Sequence, residues 1–283
     1  MSEVMDETFA GISGFESEAD YRHFSEIVRK QRRWILGGKA ARFLEAVRAG
    51  CKTRERILKS GSRLWRCQVG FTLRKIQRGE GRNKTQVEEA WPHPRSRMVP
   101  DPKLIKNDGR ANPPGFAYLY LANSPETAMA EMRPGAGESL SLGLFEVRRD
   151  LKIVTCCEAE ADGLERLFDE DPSPTKLDKV IWGDISSAFA RPVRRYDRES
   201  AYVPTQILAE VFMAQGYQGV AYRSGLAKGT NVVLFNRRAA KCIRTYLYDL
   251  KGLRYTFAAD EFAIPFNKGG QYELLTEIVS EWP

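Results

Sequence analysis

Apolar and polar positions change period several times along the chain, and each change marks an expected element. From residue 21 to about residue 59 the spacing is helical: Phe24, Ile27 and Val28 form one apolar group, and Phe43, Leu44 and Val47 a second. Gly37 and Gly38 separate them, so two short basic helices are expected, the second stopped at Gly50. A third short turn is expected to carry Ile57 and Leu58, and residues 64–69 read as a short strand. Residues 70–102 lose the periodicity and gain Gly79, Gly81, Pro92, Pro94 and Pro100, which predicts a long loop or insertion.

The pattern is most organised from residue 109. Gly109-Arg110-Ala111-Asn112-Pro113-Pro114-Gly115 cannot be a regular element, because its prolines remove backbone donors and its glycines allow tight turning. Residues 116–121 alternate as a strand, with Phe116, Tyr118 and Tyr120 on one face. Ser124-Pro125-Glu126 opens a helix: Ser124 caps, Pro125 suits the first helical position, and Glu126 sits where the dipole favours an anion. That helix is expected to run to about Arg133, with Glu131 inside it and Pro134 and Gly135 stopping it. Leu140, Leu142 and Leu144 alternate in a strand reaching Val147, and residues 151–155 suggest another.

Residues 158–200 read as charged and irregular, with Pro172, Pro174 and Pro192 opposing helix. Residues 203–215 form an amphipathic helix presenting Ile207, Leu208, Val211 and Phe212 to a core. Strands follow at 220–223 and 231–235, and the apolar tail, 245–283, is expected to pack onto the core. Strands and helices mixed with long irregular links indicate an α/β or α+β class, without the regular alternation of a barrel or doubly wound sheet.

Composition changes this picture little, but charge distribution does. Hydrophobic residues at 42% and charged residues at 29% are ordinary for a globular chain, and 283 residues suffice for one large domain or two modest ones. The net charge of +7 is uneven: residues 22–110 hold 24 Lys/Arg against 8 Asp/Glu, leaving 20 against 29 elsewhere. A basic third attracts anionic partners without choosing among nucleic acid, nucleotide and acidic protein. Arg29, Lys30, Arg32 and Arg33 beside Trp34, with Arg74, Lys75 and Arg78, could follow a phosphate backbone, yet no zinc-finger or helix-turn-helix pattern accompanies them. A solvated face or an anionic protein partner is the favoured reading.

Five cysteines lack metal-ligand spacing, and Cys156 and Cys157 would point to opposite faces of a strand, so reduced thiols in a cytosolic chain are expected. His23 and His93 are the only histidines, which disfavours a His-based zinc site or a Ser-His-Asp triad. The acidic N-terminus lacks an apolar signal core, and no segment approaches the length of apolar sequence that spans a bilayer. Glu170, Asp171 and Asp178 share a proline-bearing stretch and read as a solvated loop, and neither Gly216–Gly219 nor Gly225–Gly229 has the Lys-Ser/Thr ending of a phosphate loop.

Arg110, Tyr120 and Glu131 are the residues whose combination suggests chemistry. A guanidinium holds phosphate through parallel hydrogen bonds, an aromatic face packs on a planar ring, and a carboxylate accepts from a ribose hydroxyl while stabilising positive charge on the sugar. Singly, each has a plainer reading: a solvated turn arginine, a core aromatic, an exposed helix glutamate. Ser224, at a strand end before Gly225, either makes a turn hydrogen bond or orients a carboxylate or ribose. Arg66, in an otherwise apolar run, is a buried ionic support or a second phosphate clamp.

The stretches GRANPPGFAYLYLANSPETAMAEMR (109–133), YVPTQILAEVF (202–212) and GVAYRSGLAKGTNVVLF (219–235) resemble the RES domain, and LWRC (64–67) resembles its opening strand. The family is named for its Arg, Glu and Ser and known for NAD-consuming toxins. The resemblance implies an α+β fold, an ADP-ribosyltransferase-like mixed β core with flanking helices, over residues 61–244 with an insertion near 70–102. Residues 1–60 would be a basic helical extension, and residues 245–283 a C-terminal extension.

On that match Arg66 and Arg110 are the active-site arginines, Tyr120 packs near nicotinamide, Glu131 is the family glutamate and Ser224 its serine. NAD is then the substrate, with no resident cofactor or metal. The nicotinamide–ribose bond would be cleaved by phosphorolysis, with inorganic phosphate as co-substrate, or by hydrolysis. ADP-ribosyl transfer to a protein or nucleic acid, and a non-catalytic nucleotide-binding or nucleic-acid-binding protein, are the alternatives. The resemblance also implies a cytoplasmic toxin with an Xre-type antitoxin partner and no membrane partner, and leaves nucleic-acid binding and homo-oligomerisation open.

Overall fold

A computed structural model describes residues 14–79, 84–157, 176–191 and 198–252. Two compact units divide the chain, Met1–Leu250 and Lys251–Pro283. Residues 253–283 of the expected apolar tail fall outside the described residues. The first unit contains α1 (Asp20–Lys30), α2 (Gly38–Gly50), β1 (Glu55–Leu58), β2 (Arg63–Val69), β3 (Thr72–Arg78), β4 (Thr85–Trp91), β5 (Leu119–Ala122) and α3 (Pro125–Ala130). Then come β6 (Ser139–Val147), β7 (Leu151–Thr155), α4 (Lys176–Ala190), α5 (Arg198–Ala201), α6 (Val203–Ala214), β8 (Gly219–Arg223), β9 (Thr230–Leu234) and β10 (Ala240–Asp249).

The architecture is α+β: eight strands form one mixed sheet in the order β1-β7-β8-β9-β5-β2-β6-β10. Its neighbours pair antiparallel except β7 and β8, which run parallel. The central strands are buried on both faces, which is why they read as continuous apolar runs. Val154, Val220 and Val233 face a core shared with Trp182 and Ile185 of α4 and Leu208 and Phe212 of α6. Their neighbours Ile153, Ala221 and Val232 face the opposite layer with Leu64, Leu119 and Phe145. The helices α1 and α2 contribute Phe24, Val28, Phe43, Leu44 and Val47 to the first core, where Phe24 and Phe43 stack with centroids 4.7 Å apart.

Several expectations change. Ile57 and Leu58 lie in β1, paired antiparallel with β7, and not in a turn. The expected loop at 70–102 contains the β3–β4 ribbon, in which Arg74 stands opposite Glu89, Lys75 opposite Glu88 and Ile76 opposite Val87. Neither face of that ribbon is packed into the core, so it carries no alternating apolar signal. The strand expected from Phe116 begins at Leu119, and Phe116 is exposed. The charged stretch 158–200 includes a 15-residue helix, α4, whose Ile181, Trp182, Ile185 and Phe189 are buried. Cys156 and Cys157 lie just past β7, and all five cysteines are free and buried. Tail residues 245–249 belong to β10.

One feature of the sheet positions the site. The β2–β5 ladder has a single register pair, Trp65 with Ala122, whereas β2 pairs with β6 over seven residues. Where the ladder stops, the Arg66 side chain donates from Nη1 to the Tyr120 carbonyl at 3.1 Å, as a backbone N–H would in a longer ladder.

Candidate active site

A cavity of about 660 Å³ opens at this interruption. It is lined by Arg66 from β2, Tyr120 from β5, Tyr222 from β8, Asn231 from β9, and Arg110 and Glu131 from the intervening segments. Its volume lies in the range typical of small-ligand sites.

Hydrogen bonds, most of them between segments distant in sequence, hold the walls. Ser124 caps α3, accepting from Thr127 N at 3.1 Å, and the Thr127 hydroxyl donates to the Lys228 carbonyl at 2.8 Å. Asn123 Oδ1 accepts from Thr230 N at 2.9 Å. These bonds tie α3 to the β8–β9 loop, where Gly229, at φ 136°, leaves no room for a Cβ between Thr127 and Asn123. Glu131 therefore leaves the C-terminal cap of α3 and meets residues of β9 and the β8–β9 loop.

The Glu131 carboxylate is held from two sides. Its Oε1 accepts from the Ser224 hydroxyl and from Asn231 Nδ2, both at 2.7 Å, and Oε2 lies 3.5 Å from Arg110 Nη2. Ser224 also accepts from Leu226 N and Ala227 N at 3.2 and 3.3 Å, so its hydroxyl hydrogen is directed to the carboxylate. Ser224 does not line the cavity. It stands behind Glu131 and orients it, which combines the two readings of the sequence, a turn serine and a carboxylate holder.

The loop bearing Arg110 is equally constrained. The Tyr120 hydroxyl donates to Asn112 Oδ1 at 2.5 Å and accepts from Ala111 N at 3.0 Å. Gln206 of α6 donates to the carbonyls of Gly109 and Asn112 at 3.0 and 3.1 Å. Burial raises the Tyr120 phenol above its ordinary pKa, and burial together with Glu131 pushes Tyr222 up to about 12 against the lowering effect of Arg110. Both phenols are neutral near pH 7 and act as hydrogen-bonding groups.

Burial disfavours the charge on Arg110, but the facing Tyr222, Glu131 and Tyr202 outweigh it and raise its pKa. At Arg66 burial dominates and lowers the pKa, though a guanidinium stays protonated. Arg66 Nε and Arg110 Nη1 are buried donors without a protein partner. Two guanidinium groups in the lining of one cavity favour an anionic ligand there.

The structure thus brings Arg66, Arg110, Tyr120 and Glu131 to one cavity and places Ser224 directly behind it. Asn231, Tyr222, Tyr202, Asn107 and Asp108 also line it, and Arg133 joins them at its wall. None of these was expected from the sequence. Tyr222 and Asn231 adjoin the apolar runs Val220-Ala221 and Val232-Val233-Leu234, and a buried polar group beside such a run is the signal that could have found them. Among the described residues no cluster of three or more His, Cys, Asp or Glu is placed to hold a metal, and no helix is long and apolar enough to cross a membrane.

The family model of the RES domain matches residues 79–258. Arg66 lies before that interval and reaches the cavity only through the sheet. Among solved structures, a chain of the M. tuberculosis MbcT-MbcA toxin-antitoxin complex is similar at 16% identity and a TM-score of 0.37, over 72% of this chain and 91% of that chain. No curated protein matches the sequence.

Proposed function

The chain belongs to the RES domain family, and from that premise we propose that it consumes NAD by cleaving the nicotinamide–ribose bond, with phosphate or water as acceptor. The observation that carries the reading is the Glu131 carboxylate, fixed by Ser224 and Asn231 and 3.5 Å from Arg110 inside a cavity shared with Tyr120 and Arg66. The guanidinium groups of Arg66 and Arg110, both in the cavity lining, bind the phosphates of the dinucleotide. Tyr120 packs beside the nicotinamide end. Glu131 binds the adjoining ribose and stabilises the oxocarbenium-like charge as nicotinamide leaves. The acceptor oxygen then bonds to the anomeric carbon and loses its proton to solvent. Ser224 and Asn231 are positioning residues in this scheme, since both act on the carboxylate.

A preorganised carboxylate suits this chemistry because its stabilising effect grows as positive charge develops on the sugar. The proposal extends to a cytoplasmic toxin neutralised by an antitoxin partner, as in many members of the family. The test is incubation of the purified chain with NAD labelled in its adenosine half, in phosphate and in phosphate-free buffer. Free nicotinamide with label only in small products is expected, and a phosphorylated ADP-ribose product that needs phosphate would identify phosphorolysis. Label on a macromolecule would replace this reading with ADP-ribosyl transfer. Intact NAD in both buffers would sink it.

A further inference from the structure

Arg133 is the only non-glycine residue with positive φ among the described residues, at 48°. It follows α3, and its N–H donates to the Ala130 carbonyl at 3.0 Å in the turn that ends the helix. A left-handed residue at that place is ordinarily glycine, because a Cβ crowds the backbone there. Arginine is doubly unsuited here, since Pro134 further restricts the residue before it. A backbone conformation that disfavours its own side chain is a place to look for what the side chain does.

Arg133 lines the same cavity as Glu131 and Arg110, is exposed at its surface, and makes no hydrogen bond or ion pair with another described side chain. The two deeper guanidinium groups are partly committed: Arg66 donates to the Tyr120 carbonyl, and Arg110 faces Glu131 at 3.5 Å. A dinucleotide carries two linked phosphates, and Arg133 is an exposed arginine of the same lining whose side chain is committed to no described partner. From this we infer that Arg133 is a substrate-binding residue, a third guanidinium that takes the diphosphate of the ligand at the outer wall of the cavity. The inference rests on the reading of the cavity as an NAD site. It adds a specificity for dinucleotides over mononucleotides, which offer one phosphate.

The full chain would be compared with Arg133→Gly and Arg133→Lys. ADP serves as a non-reacting diphosphate probe in calorimetry, and NAD and nicotinamide mononucleotide as substrates. Glycine relieves the backbone, so the thermal midpoint of Arg133→Gly should hold or rise by about 1–3 °C. The same variant should bind ADP about tenfold or more weakly and raise KM for NAD by a similar factor, with kcat within about twofold. KM for the mononucleotide should change less, and Arg133→Lys should recover part of the ADP affinity. A loss of binding joined to unchanged or improved stability is a result that a structural arginine would not produce. Unchanged ADP affinity in Arg133→Gly, or no ADP binding by the native chain, would overturn the assignment. A native chain that binds ADP but releases no nicotinamide would overturn the proposed reaction instead, and the ADP comparison would still decide Arg133.

Discussion

Two arginine–glutamate pairs in this molecule invert the usual link between short distance and importance. On the β3–β4 ribbon, Arg78 Nη2 lies 2.7 Å from Glu89 Oε1, with the side chains 66% and 35% exposed. In the cavity, Arg110 Nη2 lies 3.5 Å from Glu131 Oε2, with the side chains 12% and 18% exposed. The shorter pair is screened by water and loses side-chain freedom in forming, so it contributes little. The longer pair is shielded, and Ser224 and Asn231 hold the carboxylate on its other oxygen. Burial and the surrounding donors, not contact length, make the second pair capable of chemistry: its charges meet a ligand in a medium where they are felt strongly.

Substitutions can break that contrast in order of effect. Glu131→Gln keeps the size and most hydrogen bonds but removes the charge, and should lower nicotinamide release about a hundredfold or more at equal folded protein. Turnover equal to the native chain would remove Glu131 from the mechanism. Gly109→Ala tests the loop under Arg110: its Cβ would lie 2.5 Å from Asn112 Oδ1 and 2.6 Å from the Tyr120 hydroxyl. It should destabilise the fold by about 1–3 kcal/mol, read from the denaturant midpoint, and reduce turnover as Arg110 shifts. Stability within experimental error of the native chain would mean that the loop adapts freely.

Ser224→Ala leaves Glu131 with Asn231 and should lower kcat about tenfold with KM little changed, because Ser224 lies outside the cavity. A rise in KM with kcat intact would instead place the serine on the substrate. Arg78→Ala should change stability by under about 0.5 kcal/mol and leave turnover unaltered. A larger effect on either would give the ribbon a role that its exposure does not suggest.

The elements legible in the sequence are those whose burial writes a pattern. The alternation at Leu140, Leu142 and Leu144 gave β6, the stripe of Ile207, Leu208, Val211 and Phe212 gave α6, and Ser124-Pro125 gave the start of α3. Missed elements lacked that writing: the β3–β4 ribbon packs neither face into the core, β1 is four residues long, and α4 lies within a charged stretch. In the site, the side-chain chemistry of Arg110, Tyr120 and Glu131 points to a dinucleotide and that of Arg66 and Ser224 to supporting roles, while each keeps a plainer reading that only the resemblance to the family's motifs decides against. Asn231 and Tyr222 carry no such motif, and only their burial beside the cavity marks them.

Residue order by itself determined the alternating apolar runs and the capped start of the helix before Glu131, because these depend on neighbours a few positions apart. Tertiary structure alone decided that Ser224 and Asn231 reach Glu131 across 93 and 100 residues, and that Arg66 stands beside Tyr120 across 54. Strand order made those distances short. No local pattern encodes which strand lies beside which, so the charge environment of the carboxylate exists only once the sheet has closed around it.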